Sequence, residues 1–221
     1  MSPSESMTAS TARPLRRDAA ENRQRLLDAA SQVFAENGLS AGVDEVARVA
    51  GVGTGTLYRR FPTKQALIDA LVGQMRLRMQ DIARKAARLP DGSGLEVLLV
   101  GTGELQALQS GCLRSLWNHS DAESDALAEF RLLLAELLRR GQDAGRIRAD
   151  ATATDISMVL WSLGGVIESS GPVAPHAWRR HLELLIAGLR PAARDGLSAV
   201  LKETPLTQDQ FLRATAAAAR T

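Results

Sequence analysis

The chain has 221 residues, 45% hydrophobic and 24% charged, with 27 Lys and Arg against 25 Asp and Glu. That is ordinary globular usage, enough for one or two domains with a real core. The lone cysteine, Cys112, excludes an intrachain disulfide, and no apolar run approaches the about 20 residues of a membrane span. The first 20 residues carry no hydrophobic segment of the kind found in a secretory signal. The expectation is a cytoplasmic protein with no membrane partner.

Aromatic residues make up only 4% of the chain, while Ala, Leu and Arg abound, a bias toward helix and away from strand. Charge is uneven. Residues 1–88 hold 14 Lys and Arg against 9 Asp and Glu, and the remainder holds 13 against 16. A basic front half suits an anionic partner at one end, though uneven solvated surface would look the same.

Residues 1–17 are rich in Ser, Thr, Ala and Pro and carry Arg13, Arg16 and Arg17; they read as a flexible basic arm or a tail without a role. A first helix is expected from Asp18 to Asn37, where Leu26, Leu27, Ala30, Val33 and Phe34 share one apolar face and Asn37-Gly38 ends it. A short helix over Val43–Ala50 follows, with Val43, Val46, Ala47 and Ala50 inward. Gly51-Val52-Gly53 breaks the chain, and a second short helix covers Thr54–Phe61 with Leu57 and Phe61 inward. Pro62 disfavours helical geometry at Phe61, and Thr63 can cap a long helix from Lys64 to Arg88.

The run Leu89-Pro90-Asp91-Gly92-Ser93-Gly94 is the strongest internal break. Helices are expected beyond it at 95–109, 112–118, 123–144, 152–170 and 175–189, with a short terminal helix over 207–219. The organisation read from this is an arm at 1–17, a helix-turn-helix domain at 18–65, a helical ligand-binding and dimerisation domain at 66–190, and a tail at 191–221.

Two short helices joined by a three-residue glycine turn form a helix-turn-helix. Ala47 and Ala50 are small enough for a close crossing, and Gly51 supplies the positive φ of the turn. Thr54, Gly55, Thr56, Tyr58, Arg59 and Arg60 then present a polar, small or cationic face. Such a face fits a duplex groove, with no bulky apolar group in the way.

The stretches Val43-Asp44-Glu45-Val46-Ala47, Ala50-Gly51-Val52-Gly53, Gly55-Thr56-Leu57-Tyr58 and Phe61-Pro62-Thr63-Lys64-Gln65-Ala66-Leu67 resemble the TetR family of bacterial regulators. The preceding Leu27-Asp28-Ala29-Ala30 and Val33-Phe34-Ala35-Glu36-Asn37-Gly38 resemble that family's first helix, so the likeness covers about residues 20–70. The resemblance implies an all-α fold, with an N-terminal three-helix DNA-binding domain and a C-terminal helical domain for ligand binding and dimerisation. It implies that Thr54, Gly55 and Thr56 face the groove or the DNA backbone. By the same resemblance Tyr58 donates to a phosphate, Arg59 contacts backbone or base, and Lys64 neutralises a phosphate; the alternative for Tyr58 is a half-buried core role. Gly42 and Gly53 stand where the family commonly has a capping Ser or Thr, and are counted with the DNA-facing residues because a glycine lets backbone N–H approach a phosphate. The implied partners are double-stranded operator DNA, a second copy of the chain and a small-molecule effector, with no cofactor, no metal and no catalytic residue.

Past residue 95 the likeness is weaker, carried by Ala144-Gly145-Arg146-Ile147-Arg148-Ala149-Asp150 and by the 178–191 stretch. In the family the last two helices pair with their mates. Here Ile156, Leu160, Leu163, Gly164 and Ile167, with Leu182, Leu185, Ile186 and Leu189, form two apolar stripes read as the dimer interface; the alternative is internal core. Candidate ligand contacts are Trp117, Trp161, Cys112, Leu108, Phe130, Leu134, Met158 and Glu168.

Two other classes compete with this reading. A redox-responsive regulator would use the Cys112 thiol. A helical adaptor or an enzyme without DNA binding would need no reading face, and His119, His176 and His181 show neither metal-ligand spacing nor a nucleophile arrangement.

Overall fold

The computed structural model describes residues 12–109, 125–191, 201 and 203–218, and among these the only regular structure is helix. The helices are α1 (Ala12–Asn37), α2 (Val43–Val49), α3 (Thr54–Arg60), α4 (Lys64–Ala86), α5 (Gly94–Leu108), α6 (Asp125–Asp143), α7 (Ala153–Ser170), α8 (Ala177–Leu189) and α9 (Gln208–Ala218). The all-α expectation holds. The arm is a correction: α1 begins at Ala12, so residues 12–17 are helical rather than flexible. Pro14 does not prevent this, because a proline in the first turn gives up an N–H that has no intrahelical partner anyway. The segment expected at 112–118 lies outside the described residues.

The chain divides into two compact units, one through Leu71 and one from Val72. In the first, α1 packs on α2 and α2 on α3. Helices α2 and α3 have seven residues each and no side-chain cap at Gly42 or Gly53. Helices that short do not persist alone in water. Burial holds them: Leu26, Leu27, Ala30, Val33 and Phe34 of α1 close over Val46, Ala47 and Leu57, all at 2% exposure or less. Each large side chain so buried contributes about 1.5–3 kcal/mol, more than the few tenths a missing hydroxyl cap costs when glycine stands there. Gly51 has φ +67°, and its N–H donates to the Arg48 carbonyl while that of Val52 donates to the Ala47 carbonyl. An L side chain is strained at that φ, so the turn selects glycine.

In the second unit α5 is the central element, packed by α6, α7 and α8, while α7 also packs on α6, α8 and α9. Leu95, Leu98, Leu99, Leu137, Ile156, Leu160 and Leu163 are essentially inaccessible. Gly103 allows a close approach: a Cβ there would stand 2.5 Å from Cζ3 of Trp178, so the indole lies directly against the α5 backbone. The 144–152 connection is pinned by side chains. The Gln142 amide donates to the Arg148, Ala149 and Ala151 carbonyls, and the Arg148 N–H donates to the Leu189 carbonyl. Thr152 and Asp155 then form a reciprocal capping box at the start of α7.

Candidate nucleic-acid interface

The site grows from α3, which has one wholly buried position and a wet remainder. Leu57 is 0% exposed and anchors the helix, whereas Tyr58 is 45% exposed and Gly55, Arg59 and Arg60 are open to solvent. Thr54 and Thr56 are half-buried. Arg59 is pre-set: its Nη2 donates to Thr56 Oγ1 at 2.9 Å, which lays the guanidinium along the helix face and leaves its other N–H groups for an acceptor. Gly53 is the N-cap, extended at φ −70° and ψ 146°, and a Cβ there would meet nothing within 4 Å. The same emptiness surrounds Gly42 and Gly55. Glycine at these places is not demanded by packing; it leaves the backbone uncovered.

Lys64 has a more structural place than expected. Its side chain is half-buried, Nζ donates to the Leu39 carbonyl, and the ammonium stands 5.8 Å from the centroid of the Phe34 ring. It ties the start of α4 to the α1–α2 connection, with further N–H donors to spare. Thr63 caps that helix as expected, its hydroxyl accepting from the Ala66 N–H at 3.0 Å. Arg23 of α1 stacks over Phe61, 5.7 Å from its centroid.

The described residues among those expected to hold a ligand are spread over α5, α6 and α7. Cys112 and Trp117 lie outside the described residues. Phe130 and Leu134 are buried on α6. Met158, Trp161 and Glu168 are half-buried on α7, and helical spacing turns Met158 and Trp161 away from the Ile156–Leu160–Leu163–Ile167 stripe. Leu108 is a correction: it is 74% exposed on the outer side of the last turn of α5, and it cannot line an interior site there.

The dimer stripes are corrected in the same way. Ile156, Leu160 and Leu163 are 0% exposed, Ile167 is 4%, Leu182 is 2%, and Ile186 and Leu189 are 9%. Gly164 is buried and Leu185 is half-buried. Apart from Leu185, these side chains are consumed by packing on each other and on α5 inside one chain, which leaves little of them for a second copy. The accessible positions are their neighbours: Gly165 and Ser169 on α7, and Leu184 and Gly188 on α8, with Leu184 at 62% exposure.

Sequence reasoning also missed the buried polar residues of the second unit, Gln80, Thr102, Gln106, Gln109 and Thr154. A signal was present. The stripe Leu95, Leu98, Leu99 continues at helical spacing into Thr102, Gln106 and Gln109, so one core face changes from apolar to polar along its length. Among the described residues there is no cluster of His, Cys, Asp or Glu able to hold a metal ion, and no helix long and apolar enough to cross a membrane.

A buried-anchor short helix with an exposed hydroxyl and guanidinium face, set behind a glycine turn, defines the class of helix-turn-helix DNA-binding regulators. Residues 26–71 match the model of bacterial regulatory proteins of the tetR family, and residues 95–191 match that of the SbtR-like transcriptional regulator C-terminal domain. A TetR transcription regulatory protein from Mycobacterium vanbaalenii is 37% identical, with a TM-score of 0.59 over 80% of this chain and 100% of that one. A TetR regulator from Streptomyces coelicolor is 33% identical, with a TM-score of 0.58 over 77% and 99%. The HTH-type transcriptional repressor BepR of Brucella suis is 29% identical over 68% of this chain and 80% of its own length. The chain belongs to the TetR family of transcriptional regulators, DNA-binding proteins that are not enzymes.

Proposed function

We propose that the protein is a repressor that sits in the cytoplasm as a homodimer on a palindromic operator and leaves it when a small molecule binds the second unit. The observation that carries the reading is the split character of α3, with Leu57 wholly buried beside Tyr58, Arg59 and Thr56 on an accessible polar face. Tyr58 donates to a phosphate, Arg59 contacts backbone or base edge, and Thr54, Gly55 and Thr56 enter the groove at the start of the helix. Lys64, oriented by the Leu39 carbonyl, offers a remaining N–H to a phosphate, and Gly42 and Gly53 let backbone approach the DNA. Two half-sites one helical turn apart require two such heads.

The second copy meets the chain through the open side of α7 and α8. Gly165 and Gly188 have empty space where a Cβ would stand, so helices of a partner can approach closely, and Leu184 supplies exposed apolar surface. Ligand response passes along α4, the one helix whose chain runs through the division at Leu71.

The test is selection of bound duplexes from a random pool, followed by footprinting. A protected palindrome, bound more weakly by Tyr58→Phe and by Arg59→Ala and weakened by Leu184→Glu together with a shift to monomer in sedimentation, is the expected result. Protein that selects no sequence at low salt would overturn it.

A further inference from the structure

Among the described residues the second unit buries five polar side chains, and none of the five carries a charge. Three have conventional roles or none in question. Gln80 donates to Glu129, which Arg84 also holds through two contacts of 2.8 Å. Thr154 shares a hydrogen bond with Thr152 at 2.9 Å. Gln109 is the C-cap residue of α5 and is 7% exposed.

Thr102 and Gln106 differ. Both are 0% exposed, and Thr102 Oγ1 and Gln106 Oε1 have no hydrogen-bond partner. Two other unpartnered buried atoms, on Asn22 and Arg146, belong to side chains that are themselves partly exposed. The orientation of Gln106 is fixed by its neighbour. Its Nε2 donates to the Leu160 carbonyl at 3.1 Å, and that carbonyl can only accept. The amide oxygen must therefore be the end left free. Thr102 stands one helical turn earlier on the same face, about 5–6 Å away at Cβ. A buried polar atom left unpaired costs about 1–3 kcal/mol, so two on one helix face call for an occupant.

We infer that Thr102 and Gln106 are the polar anchor of the effector site, and that the effector is an uncharged, mostly apolar molecule with a hydrogen-bond donor beside an acceptor. The inference rests on the proposed ligand response and names its chemistry. The donor answers Gln106 Oε1, and the acceptor takes the Thr102 hydroxyl proton. A charged ligand is disfavoured because none of the described buried side chains carries a compensating charge, and an unpaired buried ion costs far more than an unpaired dipole.

The experiment uses the full chain and three probes matched in ring and size: acetanilide, benzoate and benzylammonium. Binding is read by ligand-detected NMR titration, and melting temperature is recorded for wild type, Thr102→Val and Gln106→Met. The expected result is binding of acetanilide alone, weakened about tenfold in each variant as one hydrogen bond is lost. The Thr102→Val protein should melt at the wild-type temperature or above, since it loses a hydroxyl that no protein group satisfies. A fall of several degrees in that variant would show the hydroxyl to have a structural partner, such as a trapped water, and would overturn the assignment. So would benzoate or benzylammonium binding as well as acetanilide, unaltered acetanilide binding in both variants, or no acetanilide binding to wild type. Operator affinity measured in parallel separates the two readings. Acetanilide binding in the expected pattern with unchanged operator affinity removes ligand release and leaves the anchor standing. Release by another molecule that ignores Thr102→Val removes the anchor and leaves ligand release.

Discussion

The unit through Leu71 and the unit from Val72 put polarity to opposite uses, and Gly51 and Gly103 serve them in different ways. In the first, Gly51 is needed for its φ of +67° and has empty space where a Cβ would stand. In the second, Gly103 has an ordinary backbone, and Trp178 takes the place of its side chain at 2.5 Å. The first unit keeps its polar groups on the surface of α3, while every wholly buried polar side chain among the described residues lies in the second. On the proposed function, the unit that reads a duplex shows its chemistry outward and the unit that takes a small molecule hides it. The difference follows from where the partner sits.

Mutations can break this comparison. The largest effect is expected from Gly103→Val, which drives a branched side chain into the Trp178 ring and should cost about 3 kcal/mol. All three tryptophans, Trp117, Trp161 and Trp178, follow Leu71, so urea unfolding watched by tryptophan fluorescence reads the second unit. An unchanged midpoint would mean that the indole moves aside freely. Gly51→Val should cost about 1–2 kcal/mol through backbone strain alone. Its signature is weakened operator binding with an unaltered tryptophan transition. If that transition shifts as well, the stability of the second unit depends on the turn at Gly51.

A third substitution sharpens the contrast between outward and inward chemistry. Arg59→Ala should weaken operator binding by about 1 kcal/mol and make the dependence on log salt shallower by about one, as expected for one lost phosphate contact. An unchanged slope with relaxed sequence preference would move Arg59 from the backbone to a base edge. The smallest effect concerns surface charge in the second unit. The guanidinium of Arg139, then that of Arg140, holds the Glu136 carboxyl down at about 2, from an ordinary 4.5. A lowered folded value means the stabilisation is full above about 4.5 and is lost as pH falls toward about 2. The stability of wild type and of Glu136→Gln should differ in pH-dependence only in that window, with a small and constant gap above it, because the group is solvent-exposed.

Much of the first unit was legible because its signals are local. Asn37-Gly38, Gly51 and Pro62 mark breaks by backbone chemistry, and Thr63 caps α4 as its hydroxyl predicts. Leu57 and Tyr58 are neighbours whose opposite fates follow from helical spacing. Lys64 was read only as a phosphate contact because its bond to the Leu39 carbonyl crosses 25 positions of sequence, and pattern reasoning does not see such a contact.

The sequence by itself determined that this chain is helical, where most helices begin and end, and that α3 shows an exposed face of hydroxyl and guanidinium groups, because periodicity and turn residues act over a few neighbours. Tertiary structure alone decided which side of an apolar helix is core. The Leu160 and Leu182 stripes, apolar enough to serve a partner, are consumed within the chain, while Leu184 and Gly165 remain open. It also decided that Thr102 and Gln106 are sealed in without partners. Burial depends on what several distant segments pack against a residue, and no single stretch of sequence contains that information.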